Sequence, residues 1–203
     1  MHMDNMIKFV LYFLFFAVIH SILAMDYTKN MAGKLLGKGF RYYRMIYSLV
    51  SVPLLAPAFM IWMTYSKSTP VVYVIPHNLY PVVILVRLVA LGMFGYAILQ
   101  IDLLEFSGIK REKKKVLLTG GAYGIVRHPF YTAGILILIA QMEMTMLDII
   151  AALLVTGYFL AGAFIEERRL LFVFGDEYRK YQKQVPMFIP VKLLVRKLFK
   201  NLK

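Results

Sequence analysis

The chain has 203 residues, of which 60% are hydrophobic and only 17% charged. An ordinary soluble domain is nearer half apolar and a quarter charged, so the composition points to a membrane. Lys and Arg number 24 against 11 Asp and Glu, a formal net charge of +13, which on a chain this apolar suits loops at an anionic lipid surface and argues against a nucleic-acid binder. There is no cysteine, and His2, His20, His77 and His128 lie far apart. Disulfides, thiolate nucleophiles and Cys-based zinc sites are thereby excluded, and a metal centre has no support.

A helix needs about 20 mostly apolar residues to cross a bilayer core. Met6 to Met25, Tyr43 to Tyr65 and Tyr80 to Ile101 meet that requirement. The first has no convincing cleavage site before Asp26 and reads as a retained span. The second contains Pro53 and Pro57, which predict a kink; the third carries Arg87 near its start, where it can snorkel. A run from Pro129 to Met142 is short for a span, and a further run covers Met146 to Ile165. Together these two predict a tight helical hairpin. The expectation is an all-α integral membrane protein of about five transmembrane helices.

Loop charges give the orientation. The loop before the second span carries Lys29, Lys34, Lys38, Arg41 and Arg44, the next only Lys67. The segment from Asp102 to His128 carries Lys110, Arg111, Lys113, Lys114, Lys115 and Arg127, the hairpin turn no basic residue, and the tail after Ile165 ten. Basic residues alternate rich, poor, rich, none, rich, which places the N-terminus outside and the C-terminus in the cytoplasm. The whole reads as one domain: three spans in 1–101, a hairpin and C-terminal motif in 102–190, and a basic tail, 191–203, patterned as an interfacial amphipathic helix.

Chemistry-bearing residues cluster twice in the back half. The first cluster runs from Val116 to Tyr131. Thr119, Gly120, Gly121 and Gly124 allow a tight turn that exposes N–H groups to a ligand. Pro129 suits the first position of a helix, which puts Arg127 and His128 at its positive end, as an anion site or as an interfacial anchor. The second cluster runs from Phe164 to Tyr181 and on to Pro186 and Pro190. Glu166 and Glu167 emerge directly from the last span, where a carboxylate needs a partner or a polar cavity. Local ion pairs with Arg168 and Arg169 are the plainer reading. Gly175 ends that helix, Asp176 caps the next, Tyr178 and Tyr181 share one face of it, and Pro186 stops it.

Gly121/Tyr123, Arg127-His128-Pro129-Tyr131, Glu166-Glu167-Leu170, Phe174-Gly175-Tyr178-Tyr181 and Val185-Pro186 with Pro190, in this order, resemble the isoprenylcysteine carboxyl methyltransferase and phospholipid N-methyltransferase superfamily. The front half, with His20-Ser21 and Arg41-Tyr-Tyr-Arg44-Met-Ile-Tyr47, looks like its NnrU-like and methanethiol S-methyltransferase branch. The resemblance implies an S-adenosylmethionine site on the cytoplasmic side, closed by the C-terminal segment. The cofactor would contact Lys115, Val116, Leu117, Leu118, Tyr123, His128, Pro129, Phe130, Tyr131 and Glu166. Turn amides and His128 would take its carboxylate, and Glu166 its cationic amine or ribose hydroxyls. In the prenylcysteine enzymes an arginine four residues before the matching glutamate helps recognise the substrate; Gly162 stands there here, which argues against a prenylcysteine carboxylate.

The expected activity is methyl transfer to a small or lipophilic thiol at a prokaryotic cytoplasmic membrane, with Arg127, Arg44 or His20 favouring the thiolate. Carboxyl methylation of a prenylcysteine and N-methylation of a phospholipid amine are the enzymatic alternatives. A non-catalytic NnrU-like membrane protein is the alternative of another class.

Overall fold

A computed structural model describes residues 2–106, 109 and 116–190. Lys115 and the basic tail 191–203 lie outside the described residues. The elements are α1 (His2–Ala24), α2 (Asp26–Leu36), α3 (Tyr43–Tyr65), β1 (Val71–Val74), α4 (Tyr80–Ile98), α5 (Leu103–Phe106), α6 (Pro129–Ile139), β2 (Glu143–Thr145), α7 (Met146–Phe174) and α8 (Asp176–Gln184). Four helical stretches, His2–Ala24, Asp26–Ser68, His77–Ile98 and Met146–Phe174, are long and apolar enough to cross a membrane. They group into two compact units. One holds α1 to α3, both strands, α5 and the first turns of α7; the other holds α4, α6, the rest of α7 and α8.

In the first unit α1 runs antiparallel to α3. Phe9, Phe13 and Phe16 are buried at the spacing of one helix face, with successive rings about 6 Å apart at 6.2 and 6.1 Å. Tyr43 at the start of α3 donates to the Leu23 carbonyl at the end of α1, at 2.7 Å. Pro53 and Pro57 are accommodated inside a continuous α3. Beyond α3 the strands β1 and β2 pair antiparallel, Val71 opposite Thr145 and Val74 opposite Glu143.

Asp148 holds this end together. Its Oδ1 accepts from Trp62 Nε1 at 2.8 Å and Ser66 Oγ at 2.6 Å, both at the end of α3. Its Oδ2 accepts from Thr145 N and Oγ1, while Asp148 N donates back to Thr145 Oγ1. Thr145-Met-Leu-Asp148 is thus a reciprocal capping box at the start of α7, and the same carboxylate ties that start to α3.

In the second unit α6 runs antiparallel along α4. Phe94 of α4 meets Phe130 at the start of α6, edge to face at 5.3 Å. Further back along α4, Arg87 donates through Nε to the Ala140 carbonyl and through Nη2 to Gln141 Oε1 at 2.6 Å. Ahead of α4, Ile75 N donates to the Met142 carbonyl at 2.8 Å. Small buried residues, Ala90 and Ala97 on α4 and Ala133 on α6, let helix backbones approach closely.

Of the about five transmembrane helices expected, four are long and apolar enough among the described residues, and the short run from Pro129 forms α6. At 11 residues, α6 is about 16 Å long, short of the roughly 30 Å of a bilayer core. It ends at Ile139 because the chain leaves helical geometry at Ala140 and continues extended into β2. Yet α6 and the stretch to Met142 together run the length of α4. Arg87 meets the carbonyl that the short helix leaves open at its C-terminus, a role beyond snorkelling.

Replacing Asp148 with Ala leaves Trp62, Ser66 and Thr145 donors without their acceptor. The expected loss is on the order of 2 kcal/mol or more, read as a lower thermal midpoint in detergent. Trp62 is the sole tryptophan, so its emission spectrum should shift with the same substitution and report the lost bond directly.

Candidate functional site

The start of α6, the end of α7 and α8 converge on one carboxylate. Glu167, 7% exposed, projects from the C-terminal part of α7. Arg127 grips it with a fork, Nε to Oε1 at 2.8 Å and Nη2 to Oε2 at 2.9 Å. His128 Nε2 reaches Oε1 at 2.9 Å and the Tyr178 hydroxyl donates to it at 2.6 Å. Gln182 Nε2 donates to Oε2. Since a carboxylate only accepts, the His128 hydrogen on this side is on Nε2. The remaining Arg127 nitrogen, Nη1, donates to the carbonyls of Val185 at 2.6 Å and Gln182 at 3.3 Å.

Burial acts against the Arg127 charge, but the hydrogen bond and charge of Glu167 outweigh it and raise the pKa above the usual arginine value. Burial, then the hydrogen bond to Glu167, pushes the Tyr178 phenol well above the ordinary tyrosine range. Both stay protonated donors at any working pH.

Glu166, the preceding residue, points elsewhere. Its side chain is 46% exposed and its Oε2 stands 3.5 Å from His128 Nδ1 and 3.4 Å from the Tyr131 hydroxyl. It lines a cavity of about 180 Å³ together with Val116, Leu117, Leu118, Tyr123, Arg127, Leu170, Phe174, Tyr178 and Tyr181. Among these lining residues it is the one carboxylate. Burial, then the charge of Glu166, pushes the Tyr123 phenol up to about 12, so Tyr123 faces the cavity as a neutral donor.

The turn that carries Tyr123 is clamped. Gln100, just past α4, accepts from Ala122 N at 2.8 Å and donates to the Gly120 carbonyl at 3.1 Å. Gly121 between them has φ +59°, and a Cβ there would fall 1.8 Å from Gln100 Nε2, so any other residue would strain the backbone and displace the Gln100 clamp. The Tyr181 hydroxyl donates to the Tyr123 carbonyl at 2.6 Å.

A family model described as NnrU protein matches residues 8–165, well over half of the chain. The chain belongs to the NnrU protein family. The methanethiol S-methyltransferase of Pseudomonas deceptionensis is 44% identical over 68 residues, 34% of this chain and 26% of that protein. The enzyme of that name from Mycobacterium tuberculosis is 38% identical over 68 residues, 34% and 28% of the two chains. The protein-S-isoprenylcysteine O-methyltransferase of Schizosaccharomyces pombe is 36% identical over 86 residues, 40% and 36% of the two. The matched segments thus span from 26% to 36% of these relatives' own lengths. No solved structure matches.

Within this NnrU-family chain the structure gathers Val116, Leu117, Leu118, Tyr123, Arg127 and Glu166 around one cavity. His128, Pro129, Phe130 and Tyr131 are not among its lining residues. His128 and Pro129 are buried, Phe130 lies against Phe94, and Tyr131 is stacked between His128 at 5.5 Å and Phe159 at 5.0 Å. Six backbone amides between Ala122 and His128 are already engaged. Ala122, Gly124, Ile125 and Val126 donate within the turn or to Gln100, and Arg127 N and His128 N donate to the Pro186 and Met187 carbonyls at 2.9 and 3.2 Å.

His20 and Arg44 belong to the first unit. Ser51 Oγ donates to the Tyr47 carbonyl, so it accepts from His20 Nδ1–H at 2.9 Å. That leaves His20 Nε2 as acceptor for the Tyr47 hydroxyl. Sequence reasoning missed Gln100 and Gln182. Gln182 had a signal, being four residues after Tyr178 on the same face of α8. Gln100 had none, because its partners are 20 and 22 residues away.

Glu167→Gln keeps the shape but leaves Arg127 without its counter-charge, so a loss of about 3–5 kcal/mol is expected. Glu166→Gln, at an exposed position, should stay within about 0.5 kcal/mol of the parent. Thermal unfolding of the two purified variants side by side checks the contrast between adjacent glutamates.

Proposed function

We propose that this NnrU-family chain is an integral membrane methyltransferase that uses S-adenosylmethionine and acts on a small or lipophilic thiol, with its cofactor pocket facing the cytoplasm. The observation that carries the reading is Glu166, whose carboxylate opens onto a cavity walled by aromatic and aliphatic side chains. The other charge at that cavity, Arg127, is neutralised by Glu167. A lone carboxylate among rings suits a cationic ligand with an apolar body, and this donor set fits the cofactor. Drug-sized ligands usually occupy about 300 Å³ or more, a larger volume than the cavity offers. Val116 and Leu118 in its wall are exposed and have room to move outward.

When bound, the cofactor supplies an electrophilic methyl group on a sulfonium. Glu166 would pair with the cationic part or accept from hydroxyls, and the Tyr131 hydroxyl donates to its Oε2. Leu117, Leu118 and Phe174 cover the apolar part and exclude water, and Tyr123 donates from the turn that Gln100 clamps. Arg127 acts as a positioning residue: it joins α7 to the Val185–Met187 strap and has no unbalanced charge with which to favour a thiolate. In-line displacement asks for alignment and dryness more than for covalent help.

The thiol acceptor is favoured by the names of the bacterial relatives and by Gly162, which offers no cation for a substrate carboxylate. The cytoplasmic orientation is supported by the alternation of basic loops. That alternation needs five crossings, and α6 with its extended tail, running the length of α4, supplies one without a fifth long helix.

Isothermal titration of the detergent-purified chain with S-adenosylmethionine and its demethylated product tests the reading. Saturable binding that Glu166→Ala abolishes is expected. Binding unchanged by that substitution would remove Glu166 from the site, and no binding by a folded sample would favour the non-catalytic alternative. His20→Ala is expected to lower turnover while sparing cofactor affinity; equal loss of both would make His20 structural.

A further inference from the structure

A second cavity of about 180 Å³ lies in the second unit, lined by Arg87, Leu91, Ile137 and Gln141. It combines a cation with two aliphatic side chains on helices α4 and α6. Arg87 meets the Ala140 carbonyl and Gln141 Oε1, both neutral. Among the described residues no carboxylate is bonded to it. The guanidinium has more N–H donors than these two acceptors use. The negative end of α6 offsets part of its charge, but a whole positive charge on an apolar helix remains costly without an anion.

Position decides which anion. Arg87 is seven residues after Tyr80, so its backbone lies about 10 Å along α4 from the start of that helix. Helical side chains lean toward the N-terminus, which carries the guanidinium back toward Tyr80. Tyr80 itself, in edge contact with His77 at 4.7 Å, has the character of an interfacial aromatic. The aliphatic wall lies on the other side. Leu91, one turn further in, is 56% exposed on a helix apolar enough to face lipid. A ligand that fits has a negative head at the level of Arg87 and an acyl chain running along Leu91 and Ile137.

We infer that the groove between α4 and α6 at Arg87, Leu91 and Ile137 binds one anionic phospholipid, its phosphate on Arg87 and one acyl chain along the two aliphatic residues. This lipid would complete the charge balance that the short helix α6 leaves open. The inference is independent of methyl transfer and of the cavity at Glu166.

Native mass spectrometry of the full chain in mild detergent tests it, with short-chain phosphatidylglycerol and phosphatidylcholine added in parallel. The parent is expected to retain one phosphatidylglycerol, and to retain it about tenfold better than phosphatidylcholine. Arg87→Gln should abolish that preference. Because this substitution also disturbs the end of α6, Leu91→Trp is the second variant. It fills the groove from an exposed position, leaves the Arg87 bonds in place, and should also lose the lipid. Equal retention of both lipids by the parent, or phosphatidylglycerol retained undiminished by Leu91→Trp, overturns the proposal. So does displacement of the lipid by inorganic phosphate alone, which would mark an ion site with no acyl subsite.

Discussion

A buried carboxylate that must be neutralised organises the back half of this chain. Glu167 accepts from Arg127, His128, Tyr178 and Gln182, and these donors come from the segment before α6, the cap of α6 and two turns of α8. Removing water from a carboxylate is expensive unless donors replace it, and breaking such a cluster costs more than its net worth in the fold. The three elements are therefore fixed relative to one another by a single side chain. The Val185–Met187 strap follows as a consequence, because Arg127 extends the cluster to its carbonyls through Nη1 and its own backbone N–H.

The neighbouring glutamate gains its freedom from the same constraint. Consecutive residues on a helix point about 100° apart. With Glu167 turned into the core, Glu166 is carried round to the cavity, where its charge has no Arg to balance it. Two adjacent residues of one type thus divide the work: one holds the elements together, and the other turns its charge to the cavity. The clamp of Gln100 on the Gly120–Ala122 turn completes the cavity from the opposite wall and places the Tyr123 donor there.

The first unit repeats the device with a different residue. Asp148 caps α7 and binds Trp62 of α3 and Ser66 just after it, so a polar cluster anchors one end of otherwise apolar helices. Arg87 has the complementary task on α6, meeting a carbonyl that lipid could not satisfy. Without such a donor a helix of 11 residues would leave its C-terminus open at depth.

The long helices were legible because their signal is local: an uninterrupted apolar run of sufficient length needs no knowledge of its neighbours. The ends set by Pro129, Gly175 and Pro186 were legible for the same reason, since each residue acts on its own backbone. The motifs of the two clusters likewise carried the superfamily resemblance. The end of α6 at Ile139, the strand pairing of Val71–Val74 with Glu143–Thr145, and the division of labour between Glu166 and Glu167 were decided by tertiary structure alone. Each depends on partners distant in sequence, as Gln100 does on Gly120 and Arg87 on Ala140. Periodicity tells that a charge stands at a helix end, but only packing determines whether it meets an ion, a carbonyl or an open cavity.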